Sequence, residues 1–319
     1  MTCILRTILE NRIMILTIEV TNICNANCQF CAYKHQKRMK LTMSDELFRH
    51  SIYEFVKFGG GILNLTPTAG DPLVDKDLVN RIRFAKQMKC INYIVIYTNL
   101  IGLDNFTVRK LLSSGLDELN VSTCIGSREM YNRVYGVDEY DHVTQNLHSL
   151  LRENRALGDK VWLIVHVKGE KPHDTILSSS EYQRIADLYG RNTCHIDGEY
   201  DNWTGMITKD DLPKGHTFKQ LKNMSEPCSE LYDGLIIHVN GDIGICARRD
   251  LEATLTIGNI YQESLETVWK GKALRNMREN WRKGNIPTIC KTCYSYLPLS
   301  NLLSLVRMKL FGRERVKLV

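Results

Sequence analysis

Between residue 15 and about residue 200 the chain alternates short β-branched runs with longer stretches of helical period, and this pattern restricts its fold more than any other feature. Strand-like runs stand at 15–20, 62–66, 93–98, 118–122, 161–167 and 194–196, and helical stretches at 44–57, 75–89, 106–114, 140–154 and 180–189. The first helix is set to begin at Ser44, a residue suited to capping, with Asp45 and Glu46 where the helix dipole favours acids. Strands alternating with crossover helices form parallel βα units. Six such units predict an α/β fold, a partial (βα)6 barrel of parallel strands rather than a closed eightfold one. In such architectures the loops at the carboxyl ends of the strands converge on one mouth, where reactive groups gather.

Past residue 205 the alternation stops. The expected organisation is an N-terminal segment at 1–14, the barrel at 15–205, a polar connector at 206–226 with Pro213 and Gly215, a small cysteine-rich domain at 227–297 and a basic amphipathic tail at 298–319. Within the small domain, 234–245 reads as a hairpin turning at Asn240-Gly241, and 264–282 as one helix with Leu265, Val268, Trp269 and Leu274 on its apolar side. The tail alternates leucines with Arg307, Lys309, Arg313 and Lys317; it is expected to dock on its own domain, and a membrane contact through it is not expected. A net charge of +6 without one dominant basic stripe predicts no nucleic-acid partner. Arg6, Glu10 and Arg12 interrupt the N-terminal apolar stretch, and no run of about 18 apolar residues follows, so the chain is expected to be cytoplasmic. In a reducing compartment its 11 cysteines are metal ligands or buried residues rather than disulfides.

Three cysteines follow directly on the first strand run, in the stretch Cys24-Asn25-Ala26-Asn27-Cys28-Gln29-Phe30-Cys31-Ala32-Tyr33. This spacing lets three thiolates hold three corners of an iron–sulfur cubane and leave one iron open; a zinc knuckle or incidental buried cysteines satisfy the same spacing. With Phe30 just before the third cysteine, the loop resembles the signature loop of the radical S-adenosylmethionine (SAM) superfamily. The resemblance implies a [4Fe–4S] cluster on Cys24, Cys28 and Cys31 whose open iron chelates S-adenosyl-L-methionine, with Phe30 and Tyr33 near that cofactor. It also implies an external one-electron donor such as flavodoxin or ferredoxin, and reductive cleavage to a 5′-deoxyadenosyl radical that takes hydrogen from substrate.

Other mouth segments extend the likeness. Thr68-Ala69-Gly70-Asp71-Pro72 is similar to the family's G-G-E-P stretch, which implies that Gly70 and Asp71 meet the cofactor's amino group; Ala69 and Asp71 replace a Gly and a Glu. Tyr97-Thr98-Asn99 resembles T-N-G with Leu100 in the place of Gly, which puts Thr98 and Asn99 beside the cofactor. Ser122 matches a hydroxyl that binds ribose or carboxylate, and Arg133, in Tyr131-Asn132-Arg133, matches an Arg that pairs with the carboxylate.

Cys228, Cys246, Cys290 and Cys293 can meet at one closed four-thiolate site, for which zinc and iron–sulfur both fit. Glu226-Pro227-Cys228, the segment 238–246, Ile257-Gly258-Asn259-Ile260 and Cys290-Lys291-Thr292-Cys293 together resemble the SPASM extension of radical SAM proteins. Having only four cysteines there, the chain is similar to the truncated twitch type, which implies a second, auxiliary [4Fe–4S] cluster able to accept an electron from a substrate radical.

Cys124, at a mouth loop, could return a hydrogen atom and make the protein an epimerase; as a free thiol it also suits the core. Cys194 is a weaker candidate, and Cys3 and Cys90 suggest no function. The loop 195–203 is suited to substrate contact, and His166 to accepting a proton or to a structural hydrogen bond. The expected function is dehydrogenation of a small-molecule substrate, a sugar, aminocyclitol or related metabolite. The alternatives are a ribosomal-peptide maturase, by epimerisation or crosslinking, and a non-catalytic iron–sulfur binding or regulatory protein.

Overall fold

The computed structural model describes residues 15–190 and 193–301. The residues 1–14, with Cys3, and the tail beyond 301 lie outside the described residues. Nine strands share one sheet: β1 Ile15–Ile18, β2 Gly61–Asn64, β3 Ile91–Thr98, β4 Glu118–Thr123, β5 Trp162–Val167, β6 Cys194–Ile196, β7 Gly234–Ile237, β8 Asp242–Gly244 and β9 Thr256–Asn259. The order is β6-β5-β4-β3-β2-β1-β7-β8-β9. The first six strands are parallel to their neighbours in chain order, as six βα units require. Among the described residues β6 and β9 are the two edges, and the sheet they bound is open.

The helices α1 Asp45–Lys57, α2 Leu78–Lys86, α3 Val108–Leu112, α4 Arg128–Tyr135, α5 Tyr140–Ala156 and α6 Ser180–Tyr189 follow the strands. Ser44 caps α1 as expected, its hydroxyl accepting from the Leu47 N–H at 3.1 Å. The strand period of two then sorts the faces. On β3, Ile94 and Ile96 are fully buried, while Tyr93, Val95 and Tyr97 line a cleft on the other side.

The hairpin strands extend the same sheet: β7 pairs in parallel with β1, Leu16 opposite Leu235 and Thr17 opposite Ile236. A Cβ at Gly234 would come within 2.2 Å of the Ile15 carbonyl oxygen, so glycine is what lets the strands approach. The stretch 264–282 is two helices, α7 Leu265–Lys270 and α8 Lys272–Arg282, broken at Gly271, whose backbone is extended (φ −68°, ψ 163°). One apolar core runs through both regions, from Leu16, Phe48 and Ile96 to Leu235, Trp269 and Trp281.

Candidate active site

The cleft, of about 820 Å³, is lined by strand residues such as Thr17, Asn64, Tyr97 and Ser122 and by the loops at the strands' carboxyl ends. Cys24, Cys28, Phe30, Cys31, Gly70, Asp71, Thr98, Asn99 and Ser122, all expected at the site, line it together.

The cysteine loop is held from both ends. Asn22, fully buried, accepts from the Leu41 N–H at 2.7 Å and donates to the Met39 carbonyl at 2.8 Å. The backbone N–H groups of Asn27 and Gln29 donate to the carbonyls of Tyr135 and Val134 at the end of α4, each at 3.0 Å. That end is closed by Gly136 at φ +67°, where a Cβ would lie 2.3 Å from the Asn27 oxygen.

Burial pushes the Cys24 thiol up to about 12, with Asp71 and Cys31 adding to it; burial and the neighbouring thiols push Cys28 well above its ordinary value, and burial raises Cys31. Three such thiols ionise together only if a cationic centre compensates them, so the donor set fits a metal site. Thiolates on one tetrahedral zinc stand about 3.8 Å apart. Among the described residues no three His, Cys, Asp or Glu side chains meet as closely as a single ion needs. A cubane, with metal at each corner, accepts wider ligand spacing.

Asp71 joins the second and third mouth loops. Its carboxylate accepts from the Leu73 N–H (2.9 Å), the Asn99 N–H (2.7 Å) and the Thr98 hydroxyl (2.9 and 3.0 Å). It is 2% exposed, and burial, only partly offset by those donors, raises its pKa to about 6. The Asn99 amide donates to the Asn25 side chain at 2.8 Å and lies 3.9 Å from the Cys24 sulfur. Leu100, where the family has Gly, takes φ +67° and is fully buried.

Three expected residues do not line the cleft, though Tyr33 stays beside the loop, its N–H donating to the Cys31 sulfur at 3.5 Å. Arg133 is not in the cleft wall; its guanidinium forks onto the Glu170 carboxylate at 3.0 and 2.9 Å. Cys124, expected at the mouth, is 1% exposed within the apolar core, where its methylene and sulfur replace a small hydrophobe. Tyr33 is buried in a second apolar cluster with Ala32 and Tyr200. Cys194 is also buried and off the cleft, and His166 hydrogen-bonds Asn120 at 3.2 Å.

The second group of cysteines adjoins the cleft through the neighbours of Cys246. Cys290 is within electrostatic reach of Cys246, Cys228 and Cys293, and burial pushes Cys228 and Cys246 up to about 12. Ile245, Ala247, Arg248 and Arg249, on either side of Cys246, line the cleft. The loop 195–203 joins the two sides. Asp201 accepts from Arg249 Nε and from the Trp203 N–H, each at 2.7 Å, and from the Ser295 hydroxyl at 2.5 Å. The Arg249 guanidinium lies 4.4 Å over the Trp203 ring, whose Nε1 donates to the Phe30 carbonyl at 3.1 Å.

Lys168, Arg249 and Tyr135 also line the cleft and were not singled out from the sequence. Lys168 follows β5 directly, and its place at a strand's carboxyl end was the available signal. It ion-pairs with Asp197 and lies over the rings of Phe30 (5.8 Å) and Tyr200 (5.6 Å). Burial, then Lys219 and Arg249, push its pKa down to about 8. Tyr135 meets the Ser122 hydroxyl at 3.0 Å.

Residues 18–176 match the model of the radical SAM superfamily, and residues 228–294 match that of SPASM, an iron–sulfur cluster-binding domain; together they span well over half of the chain. The chain belongs to the radical SAM superfamily. That membership carries a [4Fe–4S] cluster with SAM, and the SPASM match carries further iron–sulfur. A "Probable GTP 3′,8-cyclase" of Saccharolobus islandicus (strain M.14.25 / Kamchatka #1) is 31% identical over 136 residues, 43% of this chain and 43% of that protein. The match thus spans less than half the length of the curated relative. Among solved structures, BtrN in complex with AdoMet and 2-DOIA superposes with a TM-score of 0.57 at 15% identity, covering 90% of this chain and 95% of that one. Streptococcus suis SuiB bound to its precursor peptide SuiA gives 0.61 at 15%, over 94% and 76%. At such identities these two show a shared fold. No helix among the described residues of this radical SAM protein is long and apolar enough to cross a membrane.

Proposed function

We propose that this radical SAM protein is an oxidoreductase that dehydrogenates a small polar metabolite such as a sugar or aminocyclitol. The observation that carries the reading is that Cys24, Cys28 and Cys31 and the residues flanking Cys246 line one cleft. A substrate seated there lies between the two cysteine sites. In this reading Cys24, Cys28 and Cys31 hold the cluster that binds SAM, and Cys228, Cys246, Cys290 and Cys293 hold the auxiliary one. When bound, the first group supplies one-electron cleavage of SAM to a hydrogen-abstracting radical, and the second an acceptor for the electron left on the substrate.

The chain's own residues do the remaining work. Gly70, Thr98, Asn99 and Ser122 form the cofactor's polar bed, and Asp71 fixes two of its loops in register. Lys168 and Asp197 supply a donor and an acceptor for substrate hydroxyls beside Phe30. Phe30, Tyr200 and Trp203 pack around the space and limit water. Oxidation is favoured over hydrogen return because Cys124, the thiol that return would use, is buried off the cleft.

Anaerobic reconstitution, reduction and addition of SAM tests the reading. It predicts slow 5′-deoxyadenosine formation by the wild type, none by Cys28→Ala, and cleavage without substrate oxidation by Cys246→Ala. A wild type that makes no 5′-deoxyadenosine, or a Cys246→Ala variant that still oxidises substrate, would sink it.

A further inference from the structure

Arg249 follows Cys246 by three residues, and its contacts hold it between the two cysteine groups. Its backbone N–H donates to the Cys246 sulfur at 3.5 Å. Its Nε donates to Asp201 at 2.7 Å and its Nη1 to the Arg248 carbonyl at 2.6 Å. The guanidinium lies 4.4 Å over the Trp203 ring, and that indole donates to the carbonyl of Phe30, the residue before Cys31, at 3.1 Å. Asp201 in turn accepts from Ser295, two residues past Cys293, at 2.5 Å. Hydrogen bonds and one ring contact therefore tie a single ion pair to the neighbours of ligands in both groups.

The Arg249 and Asp201 side chains are only 24% and 6% exposed, so water screens their charges little. The guanidinium is within electrostatic reach of Cys31 in the first group and of Cys293 in the second. Asp201 also reaches Cys293, with the opposite sign. Lys34 is the other cation acting on Cys31, and its ammonium pairs with Asp211. A fixed positive charge beside an iron–sulfur cluster favours its more negative, reduced state, and a carboxylate opposes it. The preorganised pair does so without having to move when the electron arrives.

We propose that Arg249 is one positive charge shared by two redox sites, raising the reduction potentials of the cluster on Cys24, Cys28 and Cys31 and of the cluster on Cys228, Cys246, Cys290 and Cys293, while Asp201 lowers the second. This rests on the assignment of a cluster to each cysteine group. Each site gains one electron from the reductant, and no bond forms or breaks. An electron on either site lies beside the same cation.

Redox titration of the reconstituted holoprotein with dithionite, without SAM, tests the proposal. Each site is followed by its own electron paramagnetic resonance signal, assigned with Cys28→Ala and Cys246→Ala. Arg249→Met and the hydrogen-bonding Arg249→Gln should make both sites harder to reduce, by about tenfold in the reduction equilibrium, or about 59 mV for one electron. Arg249→Lys, which keeps the charge, should move both by less than half as much. Asp201→Asn should make the second site easier to reduce and move the first less. Iron content checks that each variant is loaded, and Arg249→Gln decides the matter where Arg249→Met loses iron. Unchanged midpoints in a loaded neutral variant, equal shifts in the Lys and neutral variants, or a shift confined to one site each overturn the proposal. A wild type without two iron–sulfur signals overturns the functional reading as well; two normal midpoints that the neutral variants leave in place overturn the shared charge alone.

Discussion

Burial governs which side chains near the cleft carry charge. His166 is pushed down to about 4, first by burial and then by the ammonium of Lys168. Its imidazole is therefore neutral at pH 7, stacked 6.3 Å from Tyr97 and bonded to Asn120. Between about pH 6.5 and 4 the unfolded chain takes up a proton that the fold refuses, so this residue makes stability fall as pH drops through that window. A ring-proton NMR titration should place its midpoint near pH 4, and Lys168→Met should move it upward; a midpoint near 6.5 in the wild type would contradict the burial. The cysteines were legible in the sequence because their spacing is local. His166 and Lys168 were not readable as a pair, because the effect of one charge on the other depends on a separation that only the sheet sets.

At the scale of elements, the cysteine loop depends on the end of α4. Gly136→Ala places a methyl against the Asn27 carbonyl in a left-handed conformation that already costs about 1 kcal/mol for alanine. The variant should lose iron from the first site on reconstitution while keeping the auxiliary site's share; full iron content would show that the loop does not need this contact. Helices with local caps, such as α1 at Ser44, could be placed from sequence. The break at Gly271 was not read, although Leu274 falls about half a turn out of phase with Leu265, Val268 and Trp269. In the fold Val268 and Trp269 are buried on one short helix and Leu274 on the next, which accounts for that change of phase.

The whole molecule turns on β1, which has β2 on one side and β7 on the other. Just beyond it Glu19, 1% exposed, accepts from Arg38 and from the Val239 N–H and lies 3.4 Å from His238. Burial alone would raise its pKa, but the His238 and Arg38 interactions outweigh that and hold it below the usual carboxylate range. Its stabilisation is present above the ordinary glutamate pKa and is lost as pH falls through the lowered one. Glu19→Gln leaves Arg38 without its partner charge and should cost about 3 kcal/mol in denaturant unfolding; a change within about 0.5 kcal/mol would mean the network is dispensable. Ending the chain at residue 226 removes β7 and turns β1 into a bare, apolar edge. That fragment should aggregate in size-exclusion chromatography, and a monodisperse folded fragment would show that the six parallel strands stand without the extension.

The sequence by itself determined six parallel βα units, the three-cysteine loop at the end of the first strand and a later group of four cysteines. The elements and the three-cysteine loop are written in local periodicity and spacing, and the later cysteines in the likeness of their flanking segments to a known extension. Only packing decides that the cysteine-rich extension continues the parallel sheet, that Cys124 and Arg133 stay out of the cleft, and that Lys168 and Arg249 stand in it. Those outcomes depend on which surfaces distant segments bury against one another, and burial is a property of the packed chain.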